Sequence, residues 1–357
     1  MRIRSWVVEQ PGRPMVERER EESAGPGEAL VRVAGCGVCH TDLGYFYDGV
    51  PTRHPFPLTL GHEVSGTVVE TGKGAESWMG RAVVVPAVIP CGQCEACRAG
   101  RGSICPKQVF PGNDLDGGFG THLRVPASGL CPVPDLSDPV LNPGQVDLET
   151  LSVIADAVST PYQAILRSGL TRGDIAVFVG VGGVGGFGAQ IASAMGARVV
   201  AVDVSQERLD ALKDYGVSLA LRADQLDIKA LRGALRDFAK QNNVPSFRHR
   251  IFETSGTVPG QSAAFSLLGP GGYLSIVGFT PKPVEVRLSN LMAFDATAQG
   301  NWGCLPEHYP AIVDLVLGGK VKIAPFVERR PLASINQTFA DIHEHKVSGR
   351  IVLIPER

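Results

Sequence analysis

The chain has 357 residues, and its 34 lysines and arginines nearly balance its 36 aspartates and glutamates, which leaves a formal net charge of −2. This balance excludes the strongly basic surface with which proteins bind nucleic acids or anionic membranes. At about 100 to 200 residues per domain, the length predicts two domains. The 44% of hydrophobic residues excludes a disordered chain. We expect neither nucleic acid nor membrane among the partners.

The N-terminal segment and the cysteines indicate a cytoplasmic protein. Residues 1–10 mix Arg2, Arg4 and Glu9 with apolar residues, so they lack the continuous apolar core of a secretory signal. In a reducing cytosol, the eight cysteines favour metal binding over disulfides. The uncharged stretch 175–197 is interrupted by glycines, so we interpret it as a strand, a turn and a helix instead of a membrane span.

The pattern of apolar and polar residues changes twice along the chain. Short alternating apolar stretches separated by Gly and Pro predict an antiparallel, barrel-like β domain in residues 1–157. Continuous apolar strands that alternate with helical patterns predict a doubly wound parallel sheet in residues 158–297. Short strands then return, so residues 298–357 are expected to rejoin the first domain. The strands predicted for the second domain are 175–179, 198–203, 249–253 and 273–279.

Two segments of the first domain contain residues that commonly bind metals. Cys36 and Cys39 lie in the run C-G-V-C-H-T-D, and His62 lies in the run G-H-E. Each segment is ambiguous by itself. The two cysteines form a C-x-x-C pair, and His62 fits a buried, hydrogen-bonded histidine equally well.

A second cysteine cluster predicts a structural metal site. Cys91, Cys94 and Cys97 are each separated by two residues, and Cys105 follows after seven more. Four thiolates close a tetrahedral zinc shell and leave no open position for a substrate. Disulfides and an iron–sulfur cluster use the same residue type and are the alternatives.

A glycine-rich turn follows the strand at 175–179 and opens a helix. Gly180 permits the tight turn, Gly182 lets backbone N–H groups approach a pyrophosphate, and Gly185 allows close helix packing. Asp203 ends the next predicted strand, where its carboxylate can bind the 2′-hydroxyl of NAD and would repel the 2′-phosphate of NADP. We predict NAD; the alternative is a turn used only for packing. The full turn is Gly180, Val181, Gly182, Gly183, Val184 and Gly185.

In their order and spacing, these motifs resemble the zinc-dependent medium-chain alcohol dehydrogenase family over essentially the whole chain. The resemblance implies a GroES-like catalytic domain into which a Rossmann domain that binds NAD is inserted. It also implies two Zn²⁺ per chain, one catalytic and one structural, and a homodimer or homotetramer. The implied reaction is hydride transfer from an alcohol to NAD.

The resemblance assigns metal ligands. Cys39 and His62 correspond to ligands of the catalytic zinc, and Cys36 to a packing residue. Asp156 stands where family members have a third ligand, usually a cysteine and sometimes a carboxylate. The alternative is that Asp156 lies behind the ligands, so that Glu63 or a water molecule completes the site.

The resemblance also implies roles in catalysis and cofactor binding. Thr41 corresponds to the hydroxyl that takes the proton from the substrate, and Asp42 to a carboxylate that orients a ligand. His40 and Arg350 match positions that contact the cofactor pyrophosphate, and Arg208 matches a position near the adenosine ribose.

The chain differs from the family pattern at two positions. Relatives commonly have a histidine three residues after the threonine, whereas this chain has Gly44, so the proton must leave by water, by His40 or by another route. Ala87 stands where relatives often have a bulky pocket residue. Its small side chain fits either a wide substrate pocket or a packing requirement.

At a finer level, the runs 35–44, 47–50, 85–91 and 155–157 are similar to one branch of the family, the 6-hydroxycyclohex-1-ene-1-carbonyl-CoA dehydrogenases of anaerobic benzoyl-CoA degradation. The branch implies a cyclic allylic secondary alcohol carried on a CoA thioester and oxidised to the 6-oxo compound. Arg53 is a candidate contact for the CoA 3′-phosphate. The first alternative is a general NAD-dependent zinc secondary-alcohol dehydrogenase. Zinc-free reductases would lack the zinc ligands, and a non-catalytic binding protein would not need the catalytic set.

Overall fold

A computed structural model describes residues 1–356, which form two compact units. The second unit comprises Thr160–Trp302 and Lys320–Lys322. The first unit comprises Met1–Ser159, Gly303–Gly319 and the described chain from Ile323 onward. The chain therefore leaves the first unit and returns to it, which confirms the predicted insertion of one domain into another.

The first unit up to Pro132 consists of short strands and two short helices. Many of its loops turn at glycines with positive φ, a conformation that glycine adopts without a steric penalty. Its elements are β1 (Arg2–Val8), β2 (Val16–Glu21), β3 (Glu28–Gly37), α1 (His40–Tyr47), β4 (Leu58–Thr59), β5 (Glu63–Thr71), β6 (Ala82–Val85), α2 (Glu95–Arg98), β7 (His122–Pro126) and β8 (Cys131–Pro132).

Strands and helices then alternate. The order is α3 (Ser159–Arg167), β9 (Ile175–Val179), α4 (Gly183–Ala194), β10 (Arg198–Asp203), α5 (Gln206–Ala211), β11 (Val217–Arg222), α6 (Ile228–Gln241), β12 (His249–Glu253), α7 (Val258–Ser266), β13 (Tyr273–Ile276), α8 (Ser289–Phe294) and β14 (Thr297–Gly300). The chain ends with α9 (Tyr309–Leu317), β15 (Val327–Pro331), α10 (Ile335–His343) and β16 (Arg350–Ile354).

The first unit contains two sheets. β1 pairs antiparallel with β2 and with β4. The larger, seven-stranded sheet has the order β15-β16-β3-β5-β6-β8, and β7 pairs with β3. Along β3, Val31 and Val33 are buried while Arg32 between them is exposed, which is the alternation of a strand with one face toward the core. Phe339 of α10 packs edge-on against Phe119 in that core.

The second unit is built on a parallel sheet with the order β11-β10-β9-β12-β13-β14. All five residues of β9 are buried, as is typical of a parallel strand that is covered on both faces. Chain order reverses between β9 and β12, and ligands of such sheets bind at the carboxyl ends of the strands beside this reversal. The turn at Gly180 and the loop after Glu253 follow these two strands.

Three details of the second unit differ from the sequence-based expectation. The strand β11 was not predicted. Residues 297–300 form β14, the sixth strand of the parallel sheet, although we placed the end of this domain at residue 297. All four residues of β14 are exposed, so no apolar run marked the strand. β13 ends at Ile276 instead of residue 279, because the N–H groups of Val277 and Gly278 both donate to the carbonyl of Glu253.

The uncharged stretch 175–197 contains β9 and α4, as expected from its glycines. Within residues 1–356, no helix combines the length and the apolar composition that crossing a bilayer requires.

Candidate active site

Three side chains that are far apart in sequence converge in the first unit. Cys39 precedes α1, His62 precedes β5, and Asp156 follows a 3₁₀ turn at Thr150–Ala155. Asp156 Oδ2 lies 3.6 Å from His62 Nε2 and 3.8 Å from Cys39 Sγ. Ligands of one tetrahedral zinc ion stand roughly 3.3 to 3.7 Å apart, given zinc bonds of about 2.0 to 2.3 Å. The three residues therefore fit a single zinc ion.

Asp42 fixes the orientation of the histidine. Its Oδ1 lies 3.2 Å from His62 Nδ1 and accepts a hydrogen bond of 3.1 Å from the N–H of Gly61, while its Oδ2 accepts one of 2.9 Å from the N–H of Cys39. With Nδ1 as the donor, Nε2 carries the lone pair and faces the cluster. This buried Nε2 has no hydrogen-bond partner, as expected for an atom that binds a metal.

The electrostatics of this site favour a cation. Burial by itself would lower the pKa of His62, but the charge and hydrogen bond of Asp42, together with the nearby Asp156 and Cys39 side chains, raise it well above the usual value. The pocket therefore stabilises positive charge at the point toward which the three side chains converge. A zinc ion would supply that charge.

Glu63, the alternative ligand, is occupied by another group. Its carboxylate lies within 4.8 Å of the other three ligand atoms, but Arg350 donates to both of its oxygens, with 3.0 Å from Nε to Oε2. Both side chains are buried. A carboxylate in a two-bond pair with arginine is a weaker candidate for a zinc ligand than Asp156. The role of Arg350 at the cofactor stays a prediction, because the contact that the structure shows is with Glu63.

The hydroxyl of Thr41 lies beside the cluster. Its Oγ1 stands 3.7 Å from Cys39 Sγ, in the first turn of α1. Gly44, where the family resemblance predicts a histidine, is buried one turn later, and a Cβ there would stand 3.4 Å from Val50 Cγ2. A Cβ at this position would therefore make an ordinary van der Waals contact with Val50. His40 begins α1 and is exposed. Its contact with the cofactor stays a prediction.

An aromatic ring packs against the histidine. The ring centroids of Phe110 and His62 are 4.9 Å apart, and Phe110 forms a small buried cluster with Ala87 and Val88. Sequence analysis had singled out Ala87 but not Phe110. The small side chain of Ala87 is compatible with the ring of Phe110 beside the candidate metal site.

The four-cysteine segment also converges on one point. The Sγ atoms of Cys94 and Cys97 are 3.4 Å apart, those of Cys94 and Cys105 are 3.6 Å apart, and those of Cys91 and Cys97 are 4.0 Å apart. A tetrahedral zinc with bonds of about 2.3 Å places sulfurs about 3.8 Å apart. All four thiols are free, so the structure gives no support to the disulfide alternative. Sulfurs that all lie within 4.8 Å fit one ion better than a cluster of several irons.

Local backbone geometry prepares these thiols for a metal. A hydrogen bond from the backbone of Gln93 lowers the pKa of Cys91 to about 6, and one from the backbone of Cys97 lowers the pKa of Cys94. Burial and the neighbouring thiols raise the pKa of Cys97 to about 12. Thiolates are thus favoured at two positions, while a further negative charge is unfavourable unless a cation balances it.

The glycine-rich turn of the second unit has the predicted geometry. Gly180 has a φ of +88°, and a Cβ there would stand 2.5 Å from the Cα of Ser255. A Cβ at Gly185 would overlap the carbonyl oxygen of Gly180. Gly182 precedes α4, whose first residues include Gly183 and Val184, so backbone N–H groups are free to face an anion at the helix start. A larger residue at Gly180 or at Gly185 would therefore displace the turn.

Asp203 ends β10 beside this turn. Its Oδ2 accepts a hydrogen bond of 2.7 Å from the N–H of Val181, and its Oδ1 accepts one of 2.8 Å from the N–H of Ser205. The Arg208 guanidinium lies 4.0 Å from the same carboxylate. Asp203 thus joins the turn to α5 and is placed where a ribose hydroxyl is expected.

The sequence was compared with known proteins. The profile of the alcohol dehydrogenase GroES-like domain matches residues 25–135, and that of zinc-binding dehydrogenases matches residues 183–318. An alcohol dehydrogenase of Geobacillus stearothermophilus is 32% identical over 341 residues, which are 95% of this chain and 94% of the relative. The chain belongs to the zinc-binding medium-chain alcohol dehydrogenase family.

A further relative supports the family, and a solved structure supports the fold. The D-arabinose 1-dehydrogenase (NADP(+)) of Saccharolobus solfataricus is 30% identical and aligns with 92% of this chain and 90% of its own length. The solved structure of galactitol-1-phosphate dehydrogenase from Escherichia coli matches with a TM-score of 0.86 at 24% identity, covering 99% of this chain and 100% of its own. The GroES-like and Rossmann-like fold predicted from the sequence is confirmed.

As a member of the zinc-binding alcohol dehydrogenase family, the protein is an oxidoreductase of the zinc-dependent alcohol dehydrogenase type. The structure brings together Cys39, His62 and Asp156 with Asp42 behind them, and it leaves Cys36 buried outside the cluster. Sequence analysis missed the pairing of Glu63 with Arg350, because no local pattern connects residues at opposite ends of a chain.

Proposed function

We propose that the protein is a general NAD-dependent zinc secondary-alcohol dehydrogenase. The observation that carries the proposal is the convergence of Cys39, His62 and Asp156 on one point, with an unpartnered Nε2 and a threonine hydroxyl beside it. When bound there, zinc would supply Lewis acidity toward the oxygen of an alcohol. With three protein ligands, the site keeps a position open for that oxygen.

Other residues of the chain would orient a zinc ligand, move the substrate proton and bind the dinucleotide. Asp42 holds the imidazole of His62 in the tautomer that presents Nε2. Thr41 would accept the hydroxyl proton of the substrate at Oγ1 and release its own hydroxyl proton to water or to His40. The turn at Gly180 and the carboxylate of Asp203 would bind the dinucleotide that accepts the hydride.

Thr41→Val is expected to lower kcat about a hundredfold, because a positioned acid or base contributes roughly 10²- to 10⁴-fold. The variant should retain both zinc ions, which elemental analysis of the purified protein measures. Thr41→Ser restores a hydroxyl and should recover most of the activity. An unchanged kcat in the valine variant would exclude Thr41 from the proton path.

NAD is proposed over NADP because the Asp203 carboxylate disfavours a 2′-phosphate, although Arg208 nearby offsets part of its charge. Asp203→Asn keeps the shape and removes the charge. We expect the preference for NAD to fall about tenfold or more, since a hydrogen bond to a charged group contributes about 1.5 to 3 kcal/mol. Equilibrium binding of NADH and NADPH measures it. Asp224→Asn, which removes an exposed carboxylate paired with Arg222, is the matched control. Equal or better kcat/KM with NADP in the unaltered protein would defeat the assignment.

The narrower hypothesis is oxidation of 6-hydroxycyclohex-1-ene-1-carbonyl-CoA. It has less support than the hypothesis of a general secondary-alcohol dehydrogenase. The relatives described above are named for an alcohol, a sugar and a sugar-alcohol phosphate. Arg53, the candidate for the CoA 3′-phosphate, is paired with Asp114 at 3.2 Å. The general hypothesis is therefore the one proposed.

One experiment tests the proposal directly. Zinc content is measured on the purified protein, and NADH formation is followed with simple secondary alcohols, polyols, cyclohexenols and the CoA thioester of the hydroxycyclohexene acid. The proposal expects two zinc ions per chain and turnover of free secondary alcohols. Turnover of the CoA thioester alone would restore the narrower hypothesis, and no NADH from any alcohol would contradict the proposal.

A further inference from the structure

The segment that presents Asp156 is held by a buried phenol from a distant part of the first unit. Tyr309 opens α9, is 0% exposed and is among the largest fully buried side chains in residues 1–356. Its hydroxyl donates a hydrogen bond of 2.5 Å to the carbonyl oxygen of Ala155, the residue before Asp156. The contact is therefore one peptide group away from the candidate ligand.

The same carbonyl collects further donors. Ser159 Oγ lies 3.2 Å from it and 3.1 Å from the Tyr309 hydroxyl, and the backbone N–H of Ala87 donates to it at 3.3 Å. Ser159 Oγ also lies 3.5 Å from the carbonyl oxygen of Asp156. The backbone is thus held on both sides of Asp156.

We infer that Tyr309 is a positioning residue for the candidate zinc ligand Asp156 and acts through the carbonyl of Ala155. The peptide group is planar, so fixing its oxygen also fixes the nitrogen of Asp156 and the direction in which its side chain leaves the backbone. An aspartate has a short side chain, and the 3.6 Å between its Oδ2 and His62 Nε2 leaves little tolerance for a shift of the backbone.

The chemistry of Tyr309 supports a specific use of its hydroxyl. A phenylalanine would fill nearly the same space, whereas a buried hydroxyl is costly unless it is hydrogen-bonded. Burial raises the pKa of Tyr309 well above its usual value, so the phenol stays protonated and able to donate. Hydrogen-bonding groups behind metal ligands typically change metal affinity about 10- to 100-fold when they are removed.

The inference rests on the proposed function, because it assumes that Asp156 binds zinc. Its test uses the full-length protein with Tyr309→Phe, with Asp156→Ala as the reference. Tyr273→Phe is the matched control, since it removes a phenol that donates to Gln299 in the second unit. Zinc affinity is measured by competition with a chelator. The visible spectrum of Co²⁺ exchanged into the weaker site reports the ligand geometry.

We expect Tyr309→Phe to weaken the affinity of the catalytic-site metal about 10- to 100-fold and to shift the cobalt spectrum, while the four-cysteine zinc stays bound. Ser159→Ala should act in the same direction with a smaller effect, and it carries the comparison if Tyr309→Phe does not fold. Asp156→Ala should weaken the affinity at least as much.

Two results would overturn the inference, and only the second would also contradict the proposed function. If Tyr309→Phe, or Ser159→Ala in its place, binds zinc and cobalt like Tyr273→Phe while Asp156→Ala does not, the positioning role is wrong and the proposed function stands. If Asp156→Ala itself leaves affinity and spectrum unchanged, Asp156 is not a ligand, and the ligand set in the proposed function fails together with the inference.

Discussion

His62→Ala is expected to abolish alcohol oxidation and to remove one of two zinc ions while the other remains. The imidazole supplies the unpartnered Nε2 of the cluster, and Asp42 holds it through Nδ1. Without it, Cys39 and Asp156 offer two donors, too few to retain zinc against water. A bound metal contributes several kcal/mol to the stabilisation of the transition state, so kcat should fall at least about a thousandfold.

Zinc analysis, NADH formation and binding of NADH measure the effect of His62→Ala separately. Binding of NADH should change little, because the glycine-rich turn and Asp203 belong to the other unit. His122→Ala is a suitable control, since His122 lies on β7 and does not belong to the cluster. Two zinc ions and normal turnover in His62→Ala would show that the cluster is not the catalytic site.

Cys94→Ser is expected to remove the other zinc ion and to unfold the segment around α2 locally. Cys94 Sγ lies 3.4 Å from Cys97 Sγ and 3.6 Å from Cys105 Sγ. Cys94 also precedes α2, a helix of four residues that cannot be stable alone. In such small segments, the free energy of zinc binding is folding free energy. We expect a loss of roughly 3 kcal/mol or more in the free energy of unfolding of this region.

Thermal unfolding with and without added Zn²⁺, together with limited proteolysis between residues 91 and 105, measures the effect of Cys94→Ser. The zinc at Cys39 and His62 should remain, so residual activity is expected at low temperature. Cys131→Ser, which removes a buried thiol outside both clusters, should leave both zinc ions in place. A Cys94→Ser variant with two zinc ions and unchanged proteolysis would refute the structural site.

The sequence predicted those features whose residues are close together along the chain. These features are the four-cysteine segment, the glycine-rich turn and the runs around Cys39 and His62. The spacing of each reflects the geometry of a single loop or turn. The strands β9, β10 and β12 were predicted at their observed bounds, because continuous apolar runs between turns are typical of buried strands. β11 and β14 were missed, because Leu221 is the one buried residue among them and neither strand carries such a run.

What the tertiary structure alone decided is which of these residues meet. Arg350 reaches Glu63 across a separation of 287 residues, and Tyr309 reaches Ala155 across 154. No periodicity or spacing encodes these pairs, because packing between distant segments determines them. The sequence by itself thus established the family resemblance, the Rossmann turn and the candidate zinc ligands. Only the folded chain showed that Arg350 holds Glu63 and that Tyr309 supports the segment of Asp156.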